Sequence, residues 1–188
     1  MLNEALLFLI DVLIQPFATI LLLRFHLQWL RAPLRNPVGE FVMVLTDFVV
    51  LRTRRIIPSA WGLDSSTLLL ALLVEMVYLT ALLALWNVPT HGFPLPGLLL
   101  LTVAKLFKIS IYLLMAAVFV QAILSWFNPH TSLAPLLNAV TWRFLQPLRR
   151  IVPIIGNIDF SALLLFIICQ LMVIVPINML EGIAFGML

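Results

Sequence analysis

Long apolar stretches alternate with shorter polar ones along this chain and predict its helices. Four stretches, residues 2–30, 65–86, 98–127 and 161–183, approach or exceed the roughly 20 apolar residues needed to cross a bilayer. Backbone groups in lipid must bond within their own segment, so stretches this continuous predict helices. The pattern therefore predicts an all-α membrane protein with four transmembrane helices, with bends at Pro16 and Pro176.

Two segments between the spans carry a different pattern. In residues 134–152, apolar side chains recur at helical spacing with polar side chains largely between them. The apolar positions are Leu136, Leu137, Val140, Phe144 and Leu148, and the polar ones are Asn138, Thr141, Arg143, Gln146, Arg149 and Arg150. A helix too polar to span is predicted to lie in the membrane interface. Residues 39–51 are its counterpart, more apolar and less clearly striped.

Composition and charge agree with a membrane chain and orient it. The sequence is 63% hydrophobic and 10% charged, against about 45–50% and 25% in soluble domains. Arginines gather in segments 31–64 and 128–160, whereas the 87–97 connection and both termini have no lysine or arginine. The positive-inside rule places both arginine-rich segments in the cytoplasm and both termini outside, although Lys105 and Lys108 oppose it mildly. Charges that flank spans indicate lipid contact, and no nucleic-acid partner is predicted.

An internal repeat relates the two halves. Residues 46–66 shifted by 95 positions lie on 141–161 with seven identities in 21 positions. Both copies contain Arg-Arg-x-x-Pro followed by Asp-x-Ser, and the first span matches the third at a shift of 97. Each copy crosses the membrane twice, so the copies share one orientation and form two parallel two-helix repeats with interfacial helices on the cytoplasmic side. The predicted halves are residues 1–90 and 91–188.

The arginine pairs and the aspartates after them are candidate binding and capping residues. Asp64 and Asp159 precede the second and fourth spans, where a carboxylate caps a helix N-terminus, and each can pair with the arginines before it. Two roles remain open for the pairs, namely contact with anionic headgroups and docking of a partner. The arginines are Arg54, Arg55, Arg149 and Arg150.

Ionisable residues inside spans are costly and are candidate functional groups. They are Asp11, Arg24, Glu75, Lys105 and Lys108. The 97-residue shift places Asp11 on Lys108 and predicts an ion pair between the repeats; alternatively each snorkels to the outer interface. Glu75 is predicted to pair with either lysine, or to be a proton or cation site.

The same shift aligns two polar stripes near the cytoplasmic ends of the first and third spans. Their members are Arg24, Gln28 and Arg31 in the first, and Gln121, Ser125 and Asn128 in the second. Their i, i+4, i+7 spacing puts each set on one helix face. The stripes either hydrogen-bond between helices or line a small cytoplasm-facing vestibule.

Motifs for catalysis or metal binding are not found in the sequence. His26, His91 and His130 form no HExxH motif, and there is neither GxSxG nor a glycine-rich phosphate loop. The single cysteine, Cys169, excludes an internal disulfide. We therefore predict a non-enzymatic protein with no cofactor, metal or catalytic residue.

The repeated Arg-Arg-x-x-Pro and Asp-x-Ser motifs, each behind an amphipathic segment, resemble the YggT family, also called YlmG, as does "LLLRFHLQW" at 21–29. The resemblance covers nearly the whole chain and points to the two-repeat bacterial form. Where the family has proline two positions after each repeated threonine, this chain has Phe48 and Arg143. Where it has proline just ahead of the arginine pair, Pro147 keeps it and Arg52 replaces it.

The resemblance implies a bacterial inner-membrane protein linked to cell division, osmotic tolerance or assembly of membrane complexes, with no established enzyme activity. Together with the residues, it predicts a scaffold or assembly factor that binds anionic lipid headgroups and a membrane-protein partner or a second copy of itself. The alternative is a subunit of a small oligomeric ion channel or transporter.

Overall fold

The computed structural model describes residues 2–57, 64–86, 94–127, 131–152 and 159–188, with backbone alone at positions 2, 126 and 127. Seven α-helices occupy these ranges: α1 (Leu2–Trp29), α2 (Pro37–Thr53), α3 (Ser65–Leu85), α4 (Leu95–Phe127), α5 (Ala134–Arg149), α6 (Phe160–Met172) and α7 (Asn178–Gly186). A π-helical turn, Val173–Ile177, joins α6 to α7. No strand occurs in the described part, so the all-α prediction is confirmed.

Four helical stretches are long and apolar enough to cross a membrane. They are Asn3–Trp29, Ser65–Leu85, Leu95–Ser125 and Phe160–Gly186, in agreement with the four predicted spans. Large apolar side chains on their outward faces are exposed, for example Leu13, Val77, Leu163 and Met179. An outer surface of this kind is expected of helices surrounded by lipid.

The two arginine-rich segments lie at the same end of the molecule. Helix α1 packs on α3, α4 packs on α6 and α7, and α3 against α4 forms the main contact between the repeats. Leu27 at the end of α1, Val42 on α2 and Leu137 on α5 belong to one apolar cluster. The repeats are therefore parallel, with α2 and α5 together at what we call the arginine-rich end.

Capping chemistry and one glycine fix the start of α2. Asn36 is the N-cap and its side chain accepts a hydrogen bond from Gly39 N at 2.9 Å, while Pro37 occupies the first turn. A Cβ on Gly39 would lie 2.3 Å from the carbonyl oxygen of Leu34. Only glycine allows the chain to double back this closely after α1.

The two prolines within spans behave differently. Helix α1 continues through Pro16 without interruption. Pro176 lies in the π-helical turn, where the wider turn accommodates a residue that has no N–H to donate. At the start of α4, a Cβ on Gly97 would lie 2.9 Å from the carbonyl oxygen of Ala184, so glycine permits close packing against α7.

Candidate functional site

In the first repeat, Arg54 joins the end of α2 to the start of α3. Its guanidinium makes a two-point contact with the Asp64 carboxylate, Nη2 to Oδ2 at 2.5 Å and Nε to Oδ1 at 3.3 Å. Asp64 is the N-cap residue of α3 and also accepts a hydrogen bond from Thr67 Oγ1. Arg54 Nη2 also donates to Gln28 Oε1 of α1 at 3.1 Å, so this arginine connects three helices.

The second repeat makes the same contact in a more open setting. Arg149 Nε and Nη2 each lie 2.8 Å from Asp159 Oδ2. Asp159 is the N-cap of α6 and accepts hydrogen bonds from the backbone N–H of Ser161, at 3.0 Å, and from its hydroxyl. We call these contacts, Arg54–Asp64 and Arg149–Asp159, the Arg-Asp clips. The prolines of the two motifs, Pro58 and Pro153, lie outside the described residues.

The clips keep both aspartates ionised. Burial of Asp64 opposes its charge, but hydrogen bonds from Arg54 and Thr67 outweigh that cost and lower its pKa below the ordinary value. The pKa of Asp159 is also lowered, because hydrogen bonds from Ser161 and Arg149 outweigh its burial. Each carboxylate can therefore balance its arginine at neutral pH.

The second arginine of each pair differs from the first in its contacts. Arg55 and Arg150 are both exposed, as Arg149 also is. Neither makes a hydrogen bond or ion pair with any residue that the structure describes. Each pair thus divides into one arginine bound to the fold and one whose charge faces outward.

The predicted polar stripes bind the non-spanning helices. Arg24 is fully buried, and its Nη1 donates to Thr46 Oγ1 at 2.6 Å and to Asp47 Oδ1 at 2.7 Å. At the aligned position, Gln121 Oε1 accepts from Thr141 Oγ1 and its Nε2 donates to Asn138 Oδ1, both at 2.6 Å. Each repeat therefore fastens its non-spanning helix to its first span through equivalent residues.

The remaining residues of the two stripes make fewer contacts between helices. Ser125 donates to the carbonyl of Ala122 in its own helix at 2.7 Å, and Gln121 and Ser125 border a cavity of about 110 Å³. Arg31 is exposed in a left-handed conformation, with φ of 53°. Asn128 lies outside the described residues.

One detail of the α5 prediction is corrected. Thr141 was assigned to the polar side but is fully buried, because Gln121 and the Leu137 carbonyl satisfy its hydroxyl. Pro147, just ahead of the second arginine pair, lies within α5, which continues through it to Arg149. The sequence pattern showed which residues were polar, but not which polar residues had partners on α4.

The predicted Asp11–Lys108 ion pair is wrong. Asp11 instead accepts a hydrogen bond from the Tyr78 hydroxyl at 2.6 Å. Lys108 Nζ lies 3.1 Å from Glu181 Oε1, and Lys105 Nζ lies 3.6 Å from the same oxygen. Each group finds its partner within its own repeat, so alignment of equivalent positions did not identify contacts.

The preferred pairing of Glu75 with a lysine is also not found. Glu75 is fully buried in the middle of α3, and Gln15 Nε2 donates to its two oxygens at 3.3 and 3.5 Å. Lys105 attracts it electrostatically, but no ion pair to Glu75 occurs among the described residues. Lys105 instead forms an ion pair with Glu181.

Sequence reasoning missed several partners in these contacts. They are Gln15, Asp47, Tyr78, Asn178 and Glu181. For Glu181 the signal was present, since it is an acidic residue within the fourth apolar stretch and the two lysines needed a counter-charge. Asp47 follows the repeated threonine directly, but its second-repeat counterpart is Trp142, so the repeat did not single it out.

Comparison with known proteins decides the family. The family model CCB3/YggT matches the chain twice, on residues 3–85 and 100–180. The chain belongs to this family. Arg54 and Asp64 lie in the first YggT match, and Arg149 and Asp159 in the second. Each match falls within one of the two predicted halves, whose boundary at residues 90 and 91 lies outside the described residues.

Individual YggT relatives agree with this assignment. An uncharacterized protein of Pseudomonas aeruginosa is 31% identical over 183 residues, covering 96% of this chain and 92% of the relative. The uncharacterized protein YggT of Escherichia coli is 30% identical over 162 residues, 86% of this chain and 83% of the relative. An uncharacterized Vibrio alginolyticus protein is 33% identical over 161 residues, 85% of this chain and 86% of the relative. No solved structure matches.

Proposed function

We propose that this YggT-family protein is a non-enzymatic scaffold or assembly factor of the bacterial inner membrane. Its arginine-rich end faces the cytoplasm and both termini face the periplasm, since the arginines gather at one end of the bundle. The observation that carries the proposal is the division of each arginine pair. One member forms an Arg-Asp clip, and the other, Arg55 or Arg150, is held exposed at the same end.

The exposed arginines suit anionic headgroups. The neighbouring Arg-Asp clip fixes the backbone beside each of them, so a guanidinium is presented near the interface with no carboxylate bound to it among the described residues. A guanidinium binds phosphate through a planar pair of donors. On the α5 side, Trp142, Arg143 and Arg149 border an open basin of about 630 Å³. Aromatic and arginine side chains together are typical of a headgroup region.

Lipid retention tests this part of the proposal. The protein is reconstituted in nanodiscs of mixed anionic and zwitterionic lipid, and retained lipids are identified by native mass spectrometry after release. The Arg55→Gln, Arg150→Gln variant is expected to lose anionic lipid. The matched control is Arg31→Gln, Arg35→Gln, which removes two exposed arginines of the same predicted face outside the motif. Equal losses of anionic lipid in both variants would show that the motif arginines bind lipid only through general surface charge.

The assembly role requires a second measurement. The tagged chain is purified in mild detergent from its own membrane beside an Arg55→Glu, Arg150→Glu variant. A stoichiometric protein partner that the variant loses, and that the Arg31→Glu, Arg35→Glu control keeps, is the expected result. A lone homo-oligomer that keeps its lipids would contradict the assembly role and turn attention to ion flux in liposomes.

The placement of the intramembrane charges bears on the alternative, a channel or transporter subunit. A transport path through an oligomer would use charges that face a shared cavity, whereas a scaffold pairs its charges within the chain. Arg24 is paired with Asp47, and Lys105 and Lys108 with Glu181. This pairing favours the scaffold.

A further inference from the structure

Two hydrogen-bonded contacts join α1 to α3, one near the middle of both helices and one a turn further from the arginine-rich end. Tyr78 OH donates to Asp11 Oδ1 at 2.6 Å, and Gln15 Nε2 donates to Glu75 at 3.3 Å. Asp11 and Gln15 are one turn apart on α1, as Glu75 and Tyr78 are on α3. The contacts therefore form successive rungs, one reaching the exposed Asp11 and the other ending at the fully buried Glu75.

The charges near these rungs balance only if one carboxyl is neutral. The charged groups near this part of α3 are Asp11 on α1, Lys105 and Lys108 on α4, and Glu181 on α7, which packs on α4 and faces the lysines. Two lysines balance two of the three carboxyls, Asp11, Glu181 and Glu75. Asp11 is exposed and Glu181 touches both lysines, whereas Glu75 is fully buried without an ion pair among the described residues. An uncompensated charge inside a bilayer is costly, so Glu75 is the carboxyl to be neutral.

We infer that Glu75 is a proton-binding site, occupied at neutral pH and reached from the end opposite the arginines past Asp11 and Tyr78. A hydronium ion enters beside Asp11 and transfers a proton to the Glu75 carboxylate, which becomes a carboxylic acid as water is released. A metal cation fits less well, because Gln15 offers Glu75 a donor N–H rather than an oxygen ligand. The site is remote from the arginine pairs and does not depend on the proposed function.

Infrared spectroscopy of the full chain in nanodiscs tests the site. A protonated carboxyl gives a C=O stretch that shifts in D2O. At neutral pH the wild type is expected to show this band, Glu75→Gln to lose it, and the control Glu40→Gln, which changes an exposed carboxyl at the arginine-rich end, to keep it. Its absence from the wild type, or its persistence in Glu75→Gln, would overturn the proposal. If Glu75→Gln does not fold, Glu75→Asp replaces it and is expected to move the band, and an unmoved band would overturn the assignment.

Two further measurements test separately whether the ligand is a proton and by which route it reaches Glu75. Exchange of potassium for sodium in the buffer is expected to leave the band unchanged, and its loss in sodium would make the site a cation site instead. Asp11→Asn and Tyr78→Phe are each expected to slow deuterium exchange of the band several-fold. Exchange at the wild-type rate in both variants would overturn the route.

Discussion

Arg54 and Arg149 occupy the same position in the repeated motif, but their partner aspartates differ in exposure to solvent. The Asp64 side chain is 3% exposed and that of Asp159 is 32% exposed, although their arginines are similarly accessible. Water can solvate Asp159 if its arginine is removed, but it reaches Asp64 poorly. The two repeats therefore share the Arg-Asp contact, but we expect it to contribute more to the free energy of unfolding in the first repeat than in the second.

The two clips are expected to differ on substitution. Arg54→Gln leaves a buried carboxylate with reduced compensation and should lower the free energy of unfolding by about 1–3 kcal/mol. Arg149→Gln breaks a solvated pair and should cost about 0–1 kcal/mol. Thermal unfolding in detergent measures both variants, with Arg55→Gln and Arg150→Gln as controls that should change little. A larger loss in Arg149→Gln than in Arg54→Gln would contradict this account.

Acid should weaken both clips. Asp64 and Asp159 have lowered pKa values in the folded chain, so their stabilisation is fully present above the unfolded value of about 3.9. It is lost as pH falls through the folded values. Thermal stability attributable to the clips is therefore expected to hold from neutral pH to about 5 and to fall below about 4. The Asp64→Asn, Asp159→Asn variant should be less stable at neutral pH and show a shallower acid loss; an unchanged profile would contradict the clips.

At the scale of elements, each non-spanning helix is held by a residue of the preceding span. Arg24 holds α2 through Thr46, and Gln121 holds α5 through Thr141. The two threonines align in the repeat, and each also donates to a carbonyl four residues earlier. The contact is therefore a property of the duplicated unit, and arginine is one of two side chains that make it.

Substitution by the residue of the other repeat tests this equivalence. Arg24→Gln is expected to keep the Thr46 contact and to change the free energy of unfolding by less than about 1 kcal/mol, since it also removes a buried charge. Arg24→Glu, which faces Asp47 with a like charge, should be strongly destabilising by comparison. Thermal unfolding and retention of a single elution peak measure both. Equal damage in the two variants would show that the α2 contact needs the arginine charge.

Hydropathy was sufficient to predict the four spans, since a continuous apolar run of bilayer length has one stable form in lipid. The Arg-Asp partners could be anticipated because only a short loop separates each arginine from its aspartate along the chain. Contacts such as Lys108–Glu181 or Tyr78–Asp11 join residues about 70 positions apart and depend on how helices are rotated and packed. Helices that are apolar all round give no periodic signal for that rotation.

For the whole molecule, duplication and orientation belong together. Two copies that each cross the membrane twice must place their arginine motifs on one side, and the packing of α2 and α5 into one apolar cluster agrees with this. From the positive-inside rule we propose that this side faces the cytoplasm. The exposed arginines of both repeats can bind the same lipid leaflet or the same partner only if they lie on the same side of the membrane.

Cysteine accessibility tests that arrangement most directly. Cys169, the single cysteine and a buried one, is first replaced by alanine. Single cysteines are then introduced as Arg55→Cys, Arg150→Cys, Asn3→Cys and Met187→Cys, all at exposed positions. Membrane-impermeant thiol reagents are applied to sealed vesicles of each orientation. We expect positions 55 and 150 to react only from the cytoplasmic face, and positions 3 and 187 only from the opposite face. Reaction of positions 55 and 150 from different faces would contradict two parallel repeats.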